Sequence, residues 1–204
     1  VSTMNQQLSE GKNLLFTPGV YDISESIVVD NADTVLLGLG IATLTAVDGA
    51  VPLKVASKPG IIVAGVTIDA GLVLSPVLLQ GGALGDVYAT EGDPTNPITL
   101  SDVYFRLGGP HIGKANVCLE INSNDVLIDH TWVWRADHGV EDFDATKGFD
   151  GDNERWETNI GLNGVVVNGN DVTATGFFVE HFQEYNVVWN GERGRVYFFQ
   201  NELP

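Results

Sequence analysis

A right-handed, single-stranded parallel β-helix with long loop insertions, all-β throughout, is the fold predicted for this chain of 204 residues. Three observations predict it. Short β-branched runs recur with Gly, Asn and Asp between them, and few stretches have helical periodicity. The segment Asn122-Ser123-Asn124-Asp125-Val126 returns as Asn168-Gly169-Asn170-Asp171-Val172, 46 residues later. Two carboxylates near the end, Glu180 and Glu202, lie 22 residues apart in segments that read as successive turns of one repeat. Unequal periods of this kind fit a solenoid whose short coils are interrupted by insertions on one side. The right hand follows from the usual chirality of parallel crossovers.

Taken in order, the first dozen residues are the best helix candidate, with Met4 and Leu8 four apart and Gly11 placed to end the turn. Strands are expected over 13–17, 26–29, 34–37, 61–68, 77–80, 103–105, 117–121, 126–134, 164–167, 177–179, 187–189 and 196–199. A common frame underlies five of these segments. Starting at Ile61, Ile98, Val126, Val172 and Gly194, it reaches Asp69, Arg106, Trp134, Glu180 and Glu202 eight residues later, with offsets between starts of 37, 28, 46 and 22. An antiparallel β-sandwich would also show many short strands. The repeated Asn argues against it, because Asn at one turn position stacks into a hydrogen-bonded ladder only on in-register parallel rungs. Two long interruptions, Gly81 to Pro97 and the acidic Ala136 to Asn163, are expected to wall a cleft.

Composition narrows the function. With 44% hydrophobic residues the chain can bury a continuous core, and it is read as one β-helix domain over 1–204. The formal charge of −17 opposes nucleic acid, anionic membrane and acidic polysaccharide, so neither nucleic acid nor membrane is expected as a partner. A neutral ligand suits it better. That charge also weighs against a calcium-dependent polysaccharide lyase on the same fold. The single Cys118 makes no internal disulfide, and no apolar run has the 18 residues of a membrane helix. No cofactor and no metal site are expected: Asp150 and Asp152 lack the following Gly and Glu of an EF-hand loop, and His130, His138 and His181 have no ligand spacing.

The chemistry points to the end of the chain. Coils paired in register would stack Glu180 and Glu202 about 4.8 Å apart. Carboxyl groups so placed resist ionising together, so one is expected to keep a proton and act as a donor beside an acceptor, the equipment for cleaving an acetal. Glu202 is read as the acid, and Glu180 as the carboxylate that orients or activates water. Solvated surface Glu is the plain alternative. Tyr185, Trp189, Tyr197, Phe198 and Gln200 could supply surroundings for the pair, with His181 as a hydrogen-bonding neighbour of Glu180. Of Trp132 and Trp134, one is expected in the core and the other as a sugar-stacking platform. Trp156, within the acidic loop, is a further candidate platform.

The stretches Asn122–Val126, His130–Gly139, Gly176–Gln183, Val188–Gly191 and Tyr197–Pro204 resemble the second β-helical half of glycoside hydrolase family 55, the exo-β-1,3-glucanases or laminarinases of pectin-lyase-like fold. The resemblance implies an inverting, secreted hydrolase that releases glucose from the non-reducing end of a β-1,3-glucan such as laminarin. Carried onto this chain it makes Glu202 the general acid and Glu180 part of the network positioning the water, with Trp134, Trp156, Trp189, Gln200 and His181 as substrate contacts. Inversion asks for about 6.5 to 9.5 Å between acid and base, more than stacked rungs suggest, so the side chains are expected to lean apart or to use a water relay. Family members carry two tandem β-helices with the cleft at their junction. An N-terminal β-helix, in the same or another chain, is therefore the expected partner, and the chain alone is expected to be inactive without it. The rival reading is a non-catalytic β-solenoid that binds carbohydrate.

Overall fold

The computed structural model describes residues 1–83, 92–109, 111–137 and 155–204. Among the described residues, one helix, α1 (Ser2–Ser9), precedes fourteen strands: β1 (Leu14–Phe16), β2 (Gly19–Ile23), β3 (Ile27–Val29), β4 (Val35–Ala46), β5 (Leu53–Val55), β6 (Ile62–Asp69), β7 (Ser75–Gly81), β8 (Ile98–Leu107), β9 (Ala115–Ile121), β10 (Val126–Arg135), β11 (Gly161–Val167), β12 (Thr173–Glu180), β13 (Tyr185–Trp189) and β14 (Arg195–Glu202). The first sheet runs β1-β4-β6-β8-β10-β12-β14, with β2 also on β4, and the second runs β13-β11-β9-β7-β5-β3. Among the described residues these strand pairings are all parallel, and apart from β1 on β4 sheet neighbours are alternate strands in the chain. That is a parallel β-helix, and it excludes the sandwich.

The core is a set of columns, one residue per coil. In the second sheet Ile27, Leu53, Leu79, Leu119, Val165 and Val187 follow one another in register. In the first, Leu44, Ile68, Phe105, Val133 and Val179 do the same. Each such buried side chain contributes about 1.5 to 3 kcal/mol of transfer free energy, and stacking identical environments is what tolerates unequal loops between coils. Cys118 lies in this core, where burial pushes its thiol well up and away from reactivity.

Strands of the first sheet do not stay flat. Gly65, Asp102, His130, Gly176 and Phe198 share one register position and all are left-handed, with φ from 52 to 67°. Such a residue turns the strand through a corner, so the period-two alternation before the bend does not continue after it. His130 meets the Asp102 carboxyl at 2.6 Å, and Tyr104 donates to the same oxygen at 3.0 Å; both bonds hold the Asp102 carboxyl below the usual range.

The Asn ladder forms as expected. Asn168 Nδ2 donates to Asn122 Oδ1 at 2.7 Å, and Asn190 Nδ2 to Asn168 Oδ1 at 2.8 Å. A second ladder uses backbone donors, Asn170 N to Asn124 Oδ1 and Glu192 N to Asn170 Oδ1, each 2.8 Å. Beside it Arg193 clasps Asp171 with two bonds of 2.6 and 2.9 Å, which holds that carboxyl below the usual range. Asn168→Ala is expected to cost about 1 to 3 kcal/mol, because it strips a donor from one neighbour and an acceptor from the other. Urea unfolding monitored by tryptophan fluorescence checks this; an unchanged midpoint would show the ladder to be a passenger of the coil.

Two short strands, β2 and β5, fall outside the expected set. Both stand beside proline, Pro18 and Pro52, in segments too brief for period-two patterning to show. The helix matches expectation: Gly11 closes it at φ 79° with its N–H on Leu8 O. Asn5 uses its amide to satisfy Ser26 O and Val28 N, so the helix seals the first edge of the second sheet. At the far end, Val196 and Phe199 continue the core positions of Ala174 and Phe177 yet stay exposed on β14.

Candidate active site

The frame drawn from the sequence is the register of the structure. Asp69, Arg106, Trp134, Glu180 and Glu202 form one column across β6, β8, β10, β12 and β14. Lying past the bend, the column projects from the outer face of the first sheet, while its neighbours Ile68, Phe105, Val133 and Val179 point inward. Arg106 binds Asp69 through two bonds, 3.0 and 2.5 Å, so the lower part of the column is neutralised. Glu180 and Glu202 face each other in register one coil apart.

Their side chains are drawn to different partners. Glu180, 8% exposed, accepts the Trp132 indole N–H at 2.8 Å on Oε2. Glu202, 59% exposed, meets His181 Nε2 at 3.2 Å on Oε2 and receives Gln200 Nε2 at 3.1 Å on Oε1. Glu180 is thus pulled down the stack toward β10 and Glu202 sideways toward the turn after β12. This gives the two carboxylates separate clamps. It also leaves one buried, oriented carboxylate beside one that is open to a ligand.

The turn that carries His181 is tied from both sides. His181 is left-handed (φ 67°), its N–H donates to Glu202 O at 2.9 Å, and its carbonyl accepts Arg135 Nε. Asn186 Nδ2 donates to Glu202 O at 2.9 Å. Arg135 is fully buried and also reaches Arg155 O at 3.0 Å and Asn159 O at 3.2 Å, with its guanidinium 5.4 Å from the Trp156 ring. Gln183 closes the circuit by donating to Trp156 O at 2.7 Å.

Several expectations need correcting. Trp132 and Trp134 do not divide between core and surface: they are two apart on one arm of a strand, so they share the outer face, and their rings stack 5.4 Å apart at 20°. His181 serves Glu202 rather than Glu180, because the left-handed turn swings it across the rung. Trp189 does not join the site. It follows Val167 and Ile121 in a core column of the second sheet and packs inward. Of the described parts of the two insertions, Asp137 and residues 155–159 lie at the carboxylate end. The residues before β8, Gly92 to Pro97, pack at Asp125 and the strand starts, beside a cavity of about 370 Å³ lined by Pro94, Pro97, Asp125, Leu127 and Arg195. His138, Asp150, Asp152 and the run Glu141 to Glu154 lie outside the described residues. Gln200 and His181 reach Glu202, Trp134 is the register partner of Glu180, and Trp156 lies against Arg135, which binds the His181 carbonyl. From the sequence Trp132 is expected only as core or stacking platform, not as a partner of Glu180, and Arg135 and Asp137 are not expected as site residues; all three work across coils, and only register brings them there.

This arrangement is one of known type. The family model for the LAM55 pectate lyase-like domain matches residues 1–202. The chain belongs to glycoside hydrolase family 55. The family 55 chain is 46% identical over 200 residues to an exo-beta-1,3-glucanase from Streptomyces sp. (strain SirexAA-E / ActE), covering 98% of this chain and 31% of that protein. It superposes with a TM-score of 0.88 on the structure of sacteLam55A from Streptomyces sp. SirexAA-E, at 46% identity over 99% of this chain and 34% of that one. A glutamate-to-alanine variant of sacteLam55A in complex with glucose gives a TM-score of 0.87. The family 55 chain spans about a third of the length of these relatives.

Proposed function

We propose that this family 55 chain is the catalytic β-helical half of an exo-acting, inverting β-1,3-glucan hydrolase. The observation that carries the reading is the in-register pair Glu180 and Glu202 with its divergent clamps. Glu202 gives a proton to the glycosidic oxygen as the C1–O bond breaks, and Glu180, oriented by Trp132, takes part in holding the attacking water on the other face of the sugar. The stacked Trp132 and Trp134 rings offer a flat apolar surface to a pyranose. An uncharged glucan avoids the repulsion that a net charge of −17 imposes on acidic polymers.

Because Glu202 stands on an open shelf, a further wall is needed to exclude water around the oxocarbenium-like transition state. An N-terminal β-helix is the proposed wall, and secretion is the proposed location, since a glucan polymer is met outside the cell. Laminarin is the test substrate, offered to the chain with and without a preceding β-helix and followed by proton NMR. The reading expects glucose from the joined form, with the α-anomer appearing first. First appearance of the β-anomer overturns inversion. Laminarin binding by calorimetry with no sugar released, even by the joined form, makes the protein a carbohydrate-binding solenoid instead.

A further inference from the structure

His181 stands between two carboxylates, and only one of them has a part in the reading above. Its Nε2 is 3.2 Å from Glu202 Oε2, and its Nδ1 is 3.4 Å from Asp137 Oδ1. The imidazole is nearly buried, and Nδ1 makes no hydrogen bond; the Asp137 carboxyl is the group facing it, at that slightly long distance. The ring has no freedom to leave. Its backbone is held in a left-handed turn by Glu202 O on one side and Arg135 on the other.

We propose that Asp137 is a positioning residue which, acting through His181, keeps the transferable proton of Glu202 on Oε2. A neutral imidazole carries one N–H, and the partly buried Asp137 carboxylate attracts it to Nδ1. Nε2 then presents a lone pair. Its contact with Oε2 becomes a hydrogen bond only when Glu202 supplies the proton. Gln200 settles which oxygen that is, because its N–H occupies Oε1 as a donor and leaves Oε2 as the protonated position. The other charged groups nearby are Glu180, in register on β12, and the Arg135 guanidinium on the carbonyl side of the turn. During hydrolysis the Oε2–H bond breaks and the glycosidic oxygen gains the proton. The C1–O bond breaks with its electron pair on that oxygen as the water oxygen bonds to C1 from the other face, and the proton lost by that water returns to Oε2 through solvent. An ionised Oε2 facing the imidazole lone pair finds no donor there, which favours the proton's return.

This inference rests on Glu202 being the acid, and its test separates the two. In Asp137→Asn the amide N–H faces Nδ1 and drives the ring to the other tautomer, whose Nε2–H stabilises an ionised Glu202. In the active joined form kcat on laminarin is expected to fall about 10- to 100-fold, the range seen when the partner orienting a functional imidazole is lost. KM and the hydrolysis of 2,4-dinitrophenyl β-glucoside, whose leaving group needs no proton, are expected to change by less than about twofold. Long-range proton–nitrogen NMR of the chain should show the His181 proton on Nδ1, moving to Nε2 in Asp137→Asn. A wild-type Nε2–H tautomer, or equal losses on both substrates, overturns the relay while leaving Glu202 in place. A Glu202→Gln variant that still cleaves laminarin removes the acid and the relay together.

Discussion

Glu202→Gln in the joined two-helix form is expected to lower kcat on laminarin by about 10²- to 10⁴-fold, the usual contribution of a positioned acid. The replacement is close to isosteric and removes only the transferable proton. Folding should be indifferent to it, since the side chain is exposed and the bonds that tie this residue to β12 and to Asn186 use its backbone carbonyl. An unchanged melting temperature beside the lost turnover would therefore isolate the chemistry. A leaving group that departs without protonation should recover most of the rate, because bond cleavage no longer waits on the acid. Undiminished glucose release from laminarin would remove Glu202 from the mechanism. Glu180→Gln supplies the contrast: the amide oxygen still accepts the Trp132 indole, so orientation survives while charge is lost.

The second large effect is structural. Arg135→Ala is expected to destabilise the chain by about 3 to 5 kcal/mol, because three backbone carbonyls from two segments lose their buried donor at once. Those carbonyls belong to His181, to Arg155 and to Asn159, so the same change should loosen the turn under Glu202 and the segment bearing Trp156. Arg135→Lys should rescue little, since one ammonium cannot span acceptors that the guanidinium fork reaches simultaneously. Urea unfolding gives the magnitude. A loss below about 1 kcal/mol, the scale of an exposed ion pair, would mean that the buried guanidinium is not the tie.

Repeat geometry was legible in the chain. The frame from Ile61 to Asp69 through Gly194 to Glu202 coincides with the register, and the Asn122 and Asn168 amides form the ladder that their repeat implies, which Asn190 extends by a rung. Both depend on backbone repeat alone. Where reading failed, the cause was direction. Trp189 is expected from the sequence as a substrate contact, whereas its register partner Val167 marks a core column. His181 was assigned to its chain neighbour, and the left-handed backbone gave it to Glu202 instead. The indole of Trp132 reaches Glu180 across 48 residues, a contact that leaves no trace in local pattern.

Coil length, parallel pairing and the alignment of two glutamates were therefore written in the order of residues, because in-register hydrogen bonding repeats wherever the chain repeats. Which side chains gather around those glutamates was decided by folding, at the bends and turns. There a single positive φ redirects everything after it, and a buried arginine fixes the result.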